Sequence, residues 1–104
     1  MSATVRERVG APSAFADESL TALEVAGREI VLVRHQGRFY AVPDMCTHAR
    51  FPLHDGSLDD GKLVCCHHGA RFDLETGRAT LPAIKPLARY EVEVEGDDVY
   101  VTLT

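Results

Sequence analysis

No apolar run in this chain approaches the roughly 20 residues that a membrane-spanning helix requires; the longest aliphatic stretch is residues 30–33. Arg6, Glu7 and Arg8 fall where a secretory signal would carry its apolar segment. Neither export nor membrane insertion is expected, and a cytoplasmic location is. Basic residues are also scarce, eleven Lys and Arg against sixteen Asp and Glu, for a formal net charge of −5. That balance repels nucleic acid and anionic lipid and favours a partner with a basic docking face. Cysteine is sparse as well. The three present are an odd number crowded into one part of the chain, which argues against a disulfide framework and for metal ligation in a reducing compartment. No internal repeat, low-complexity tract, linker or long amphipathic helix is visible, so solenoids and fibrous folds are excluded.

What remains is an ordinary globular composition, 45% apolar and 26% charged over 104 residues. One domain spanning residues 1–104 is expected, because a second core has no room. The strand signals are short, apolar or alternating, and separated by glycine turns, as in a small antiparallel sandwich or barrel. Residues 5–9 predict a first strand and residues 13–20 a loop or single turn. The segments LTALEV and EIVLVRH flank Ala26, Gly27 and Arg28 as a hairpin, and Gln36-Gly37 turns the chain into a strand over residues 38–42. Near the end, Tyr90, Val92 and Val94 alternate with Glu91, Glu93 and Glu95, which predicts one buried and one charged face; EGDDV then turns into Val99, Val101 and Leu103. Between these sheet regions, about residues 43–86, lie four of the five prolines and only short apolar pieces at Leu63-Val64 and residues 71–74. Proline cannot donate to a sheet ladder, so this part is expected to be loops projecting from the scaffold.

Those loops hold the chemistry. All three cysteines and four of the five histidines lie between Cys46 and Phe72. They read C-x-H, sixteen residues, then C-x-x-H: Cys46, His48, Cys65 and His68. Each short spacing lets two side chains converge from one tight loop, and the hairpin-like ARFPLHDGSLDDGKLV between them brings the loops together. Two thiolates and two imidazoles suit tetrahedral zinc or a [2Fe-2S] centre with two cysteines on one iron and two histidines on the other. Zinc sites usually pair like ligands within a loop, whereas each loop here is mixed, which favours the diiron centre. Cys66 and His67 offer chemically plausible alternative pairings, but the C-x-x-H frame, followed by Gly69, favours Cys65 with His68. A glycine there would permit close backbone approach to a cluster. Cys66 is then a small loop residue, and His67, His35 and His54 are surface side chains.

CTH followed by CCHHGARFDLETG resembles the two cluster-binding loops of the Rieske family, and LPAIKP, residues 81–86, stands where that family has a proline-rich covering loop. The resemblance runs from about residue 42 to residue 86. It implies an all-β Rieske fold with a cluster-binding loop subdomain and one [2Fe-2S] cluster per chain. Cys46 and Cys65 would bind the buried iron, and His48 and His68 the outer iron near solvent. Two further cysteines of the respiratory branch are replaced by Phe51 and His67. Ala70 and Phe72 stand where that branch has a serine and a tyrosine that donate to the cluster sulfurs, and neither can donate. Fewer donors stabilise the added electron less, so a potential near the bottom of the Rieske range, about −150 mV, is implied.

The function implied is that of a low-potential Rieske ferredoxin in an aromatic ring-hydroxylating dioxygenase system serving aromatic hydrocarbon catabolism. It would take single electrons from a flavin-containing reductase and deliver them to a terminal oxygenase. Docking would be transient, at the exposed histidine edge, with Arg50, Phe51, Pro52 and residues 81–86 as the rim. The chain itself is not expected to be an enzyme: oxygenation needs a separate iron site of two histidines and a carboxylate, and the remaining histidines do not supply one. Two alternatives stay open, the small Rieske subunit of an assimilatory nitrite reductase and a zinc-stabilised interaction module.

Overall fold

A computed structural model describes residues 4–45, 52–65, 69–79 and 87–103. Within them the chain forms nine strands in three small antiparallel sheets. The strands are β1 (Val5–Gly10), β2 (Ser19–Val25), β3 (Arg28–His35), β4 (Arg38–Pro43), β5 (Ser57–Asp59), β6 (Lys62–Val64), β7 (Arg71–Asp73), β8 (Glu91–Glu95) and β9 (Asp98–Leu103). The sheet orders are β1-β9-β8, β2-β3-β4 and β5-β6-β7. The all-β expectation holds; the only helical pieces among the described residues are 3-10 turns at Pro12–Ala14 and Leu53–Asp55.

Strand β3 explains how the sheets stack. Its run Ile30, Val31, Leu32 and Val33 is at most 1% exposed throughout. Such a run suits a strand buried on both faces, and side chains along a strand point alternately to opposite sides. Ile30 and Leu32 join one core with Phe15, Val25, Ala41, Val99, Val101 and Leu103, shared with β9. Val31 and Val33 join the other, with Val42, Leu53, Leu63, Cys65, Ala70, Phe72, Leu74 and Leu87. The sheet β2-β3-β4 is therefore the middle layer, with the chain-terminal sheet on one face and the small sheet β5-β6-β7 on the other.

The hairpin turns follow the sequence. Ala26-Gly27, Gln36-Gly37 and Asp60-Gly61 all have positive φ at both residues, the combination that matches strand twist in two-residue turns. Arg28, expected in the turn, is the first residue of β3 and pairs with Val25. The alternation in β8 is only partly expressed: Val92 is half-buried against the first core, whereas Val94 is 50% exposed. Strand β8 is an edge strand, and its far end runs past the core. Sheet β5-β6-β7 was not visible as a sheet in the sequence, because three-residue strands are too short to display a period.

Candidate metal centre

The second Cys/His loop is built on the hairpin β6–β7. Strand β6 delivers Cys65, whose backbone N–H donates to the Ala70 carbonyl at 2.8 Å, and Ala70 leads into β7. Only four residues, 66–69, separate these two bonded positions in the sequence. Gly69 has φ +70°; this left-handed conformation is reason enough for glycine there, apart from any close approach. Cys65 is 1% exposed, and Ala70 and Phe72 are fully buried in the same core. Both positions implied to have lost a donor therefore face the interior with Cys65. Cys66, His67 and His68 lie outside the described residues.

The first loop leaves the scaffold at the end of β4 and returns at the Leu53–Asp55 turn. Cys46, His48, Arg50 and Phe51 also lie outside the described residues, but both ends of the loop are fixed. On one side the Asp44 N–H donates to the Glu29 carbonyl at 3.1 Å. On the other, Leu53 is fully buried in one core with Cys65 and Phe72. Asp44 and His54 tie the ends to each other. The His54 backbone N–H donates to Asp44 Oδ1 at 2.9 Å, and His54 Nδ1 lies 2.5 Å from Asp44 Oδ2. The Asp44 side chain is only 6% exposed. Its hydrogen bond holds the imidazole proton and raises the pKa of His54 above the ordinary histidine value. Met45, one position before Cys46, is 52% exposed.

The covering segment, residues 81–86, lies outside the described residues, yet its base is held as well. Leu87 N–H donates to Gly77 O at 2.8 Å, Asp73 N–H to Arg78 O at 2.9 Å, and Leu87 is buried in the second core. Cys65 therefore sits in one core with Val42 and Leu53, from the two flanks of the first loop, and with Leu87, from the end of the third.

Of the three histidines expected at the surface, His67 lies outside the described residues, and His35 and His54 each lie against a carboxylate. His35 is less open than its place beside a turn suggests: its side chain is 16% exposed, with Nδ1 2.7 Å from a Glu18 carboxylate oxygen. Among the described residues no group of three or more His, Cys, Asp or Glu side chains could hold a metal. The Asp44–His54 contact went unread in the sequence, where ten positions separate two residues that match no motif.

A family profile described as "Rieske [2Fe-2S] domain" matches residues 6–91. The ferredoxin component of biphenyl 2,3-dioxygenase from Rhodococcus jostii is 44% identical over 79 residues, covering 74% of each chain. Among solved structures, the ferredoxin of carbazole 1,9a-dioxygenase from Nocardioides aromaticivorans superposes with a TM-score of 0.87 and 32% identity, covering 92% of this chain and 95% of that one. A complex of reduced oxygenase and oxidized ferredoxin in carbazole 1,9a-dioxygenase matches with a TM-score of 0.86 and 33% identity over 92% of this chain and 91% of the other.

Proposed function

The chain belongs to the Rieske [2Fe-2S] family, in its ferredoxin branch, and on that footing we propose that it is a one-electron carrier of an aromatic ring-hydroxylating dioxygenase system, taking electrons from a flavin-containing reductase and passing them to a terminal oxygenase. The observation that carries this reading is the burial of Cys65 in one core with the flanks of both other loops. The donor set fits the cluster. Cys46 and Cys65 would hold the inner iron and His48 and His68 the outer one. The cluster, when bound, supplies a centre that accepts a single electron, and two neutral imidazoles in place of two thiolates make that acceptance easier.

The remaining residues set the conditions. Leu53, Ala70 and Phe72 are fully buried beside Cys65 and keep water from the cysteine side. Neither Ala70 nor Phe72 offers a side-chain donor, which supports a potential near the lower end of the family's span, about −150 mV. The whole chain, residues 1–104, acts as one domain. Among the described residues no helix is long and apolar enough to cross a membrane; the location proposed for the carrier is the cytoplasm.

Redox titration combined with reconstitution tests the proposal. The expected result is a one-electron midpoint near the value above, with NADH-driven reduction through a flavin-containing ferredoxin reductase and reoxidation by the biphenyl dioxygenase oxygenase. A centre that neither the reductase reduces nor the oxygenase reoxidises overturns it.

A further inference from the structure

We propose that Asp44 and His54 form a clamp across the base of the first ligand loop, and that they are positioning residues for Cys46 and His48. The inference rests on the ligand set proposed above.

The sequence between the two residues is the nine positions 45–53, which contain both donors of that loop. The clamp is doubly made, with one carboxylate taking the backbone N–H of His54 on one oxygen and its ring nitrogen on the other. Two bonds to one residue fix direction as well as distance, as a single contact would not. The carboxylate is also unusually enclosed. In the other described ion pairs involving Arg6, Arg8, Arg38 and Arg71, both partners are at least 38% exposed, whereas the Asp44 side chain is 6% exposed. Removing a charge from water is costly unless its partners replace the lost hydration, so this pair is more than surface decoration.

Apolar packing does not do the same work on this side. Next to the clamp lies a cleft of about 260 Å³, lined by Glu24 and Glu29 from β2 and β3 and by Asp44, Pro52 and His54 from the loop base. Side chains of β2 and β3 therefore do not fill the space against the loop base. Leu53 anchors the returning chain into the core, and Asp44 is anchored to β3 through Glu29. The clamp joins these two anchors and fixes the span that Cys46 and His48 must bridge. Partners beyond the ligands that set ligand orientation commonly matter about 10- to 100-fold in metal retention.

The test uses the cluster-loaded protein and four variants: Asp44→Ala, Asp44→Asn, His54→Ala, and Asp98→Ala as a control, which breaks the exposed Arg8–Asp98 pair at 2.5 Å. Three quantities are read: the rate of cluster loss under a chelator, the EPR g-values of the reduced state and the midpoint potential. Asp44→Ala, which removes both bonds, is expected to lose the cluster about 10- to 100-fold faster and to shift the g-values and the potential. His54→Ala keeps the backbone donor and falls between that variant and the wild type. Asp44→Asn keeps an acceptor for the amide and stays closer to the wild type than Asp44→Ala, while Asp98→Ala is unchanged. Wild-type values in both alanine variants at positions 44 and 54 overturn the proposal, as does an equal shift in Asp98→Ala. Should Asp44→Ala fail to fold, His54→Ala decides alone. A wild type without histidine-ligated iron overturns the ligand set itself, and that result is read before any variant is made.

Discussion

His54 keeps its proton to higher pH than a free imidazole, because Nδ1 lies 2.5 Å from Asp44 Oδ2. An NMR titration should place its pKa above 6.5, and Asp44→Asn should bring it back down. The consequence for stability has a definite sign. A raised folded-state pKa contributes stability in full below the unfolded value and loses it as pH rises through the folded value. The pair therefore helps most in mildly acidic solution and least in alkaline solution. A second expectation concerns Phe72, fully buried beside Cys65. Phe72→Tyr adds a hydroxyl donor to the core that holds that cysteine and should raise the midpoint potential; an unchanged or lower value in a redox titration would show that the ring does not face the cluster. Spacing along the chain singles out the Cys/His frame, and Phe72 is singled out by the family resemblance rather than by any local pattern. The sequence reading passed over Asp44 with His54, since a contact formed only by folding leaves no local pattern.

Among the elements, the hairpin β5–β6 and the Leu53–Asp55 turn meet at Gly56. A Cβ there would stand 2.0 Å from the Val64 carbonyl oxygen and 3.1 Å from that of Leu53. The backbone at Gly56 has φ −83°, so the need for glycine is purely steric. Gly56→Ala should destabilise the fold by about 1–3 kcal/mol, the usual cost of overpacking, read as a lower urea midpoint with an unchanged slope. A wild-type midpoint would mean that Val64 can withdraw without cost. The long hairpins β2–β3–β4 and β8–β9 were legible because their strands run five to eight residues, long enough for turn residues to bracket a period. The strands that carry Cys65 run three residues each. Their pairing is fixed by Leu63 and Phe72 entering a core whose other half comes from β3 and β4, which no window of neighbouring residues contains.

For the whole molecule, two cores on opposite faces of one sheet form the scaffold, and the chain carries a net charge of −5. A carrier of that charge is steered towards a basic docking face, and salt weakens the steering over a Debye length of about 10 Å at 0.1 M. Stopped-flow transfer to an oxygenase with such a face should slow as ionic strength rises; a rate that is flat or rises with salt would remove charge from the account of docking. The central claim is that two histidine nitrogens ligate a diiron cluster. Pulsed EPR of the dithionite-reduced protein measures this directly. Hyperfine couplings from two ligand nitrogens are expected, and His48→Ala or His68→Ala should either reduce them to one or lose both together with the cluster. A reduced protein with no nitrogen coupling, or one that is colourless and EPR-silent with a single zinc bound, would contradict it.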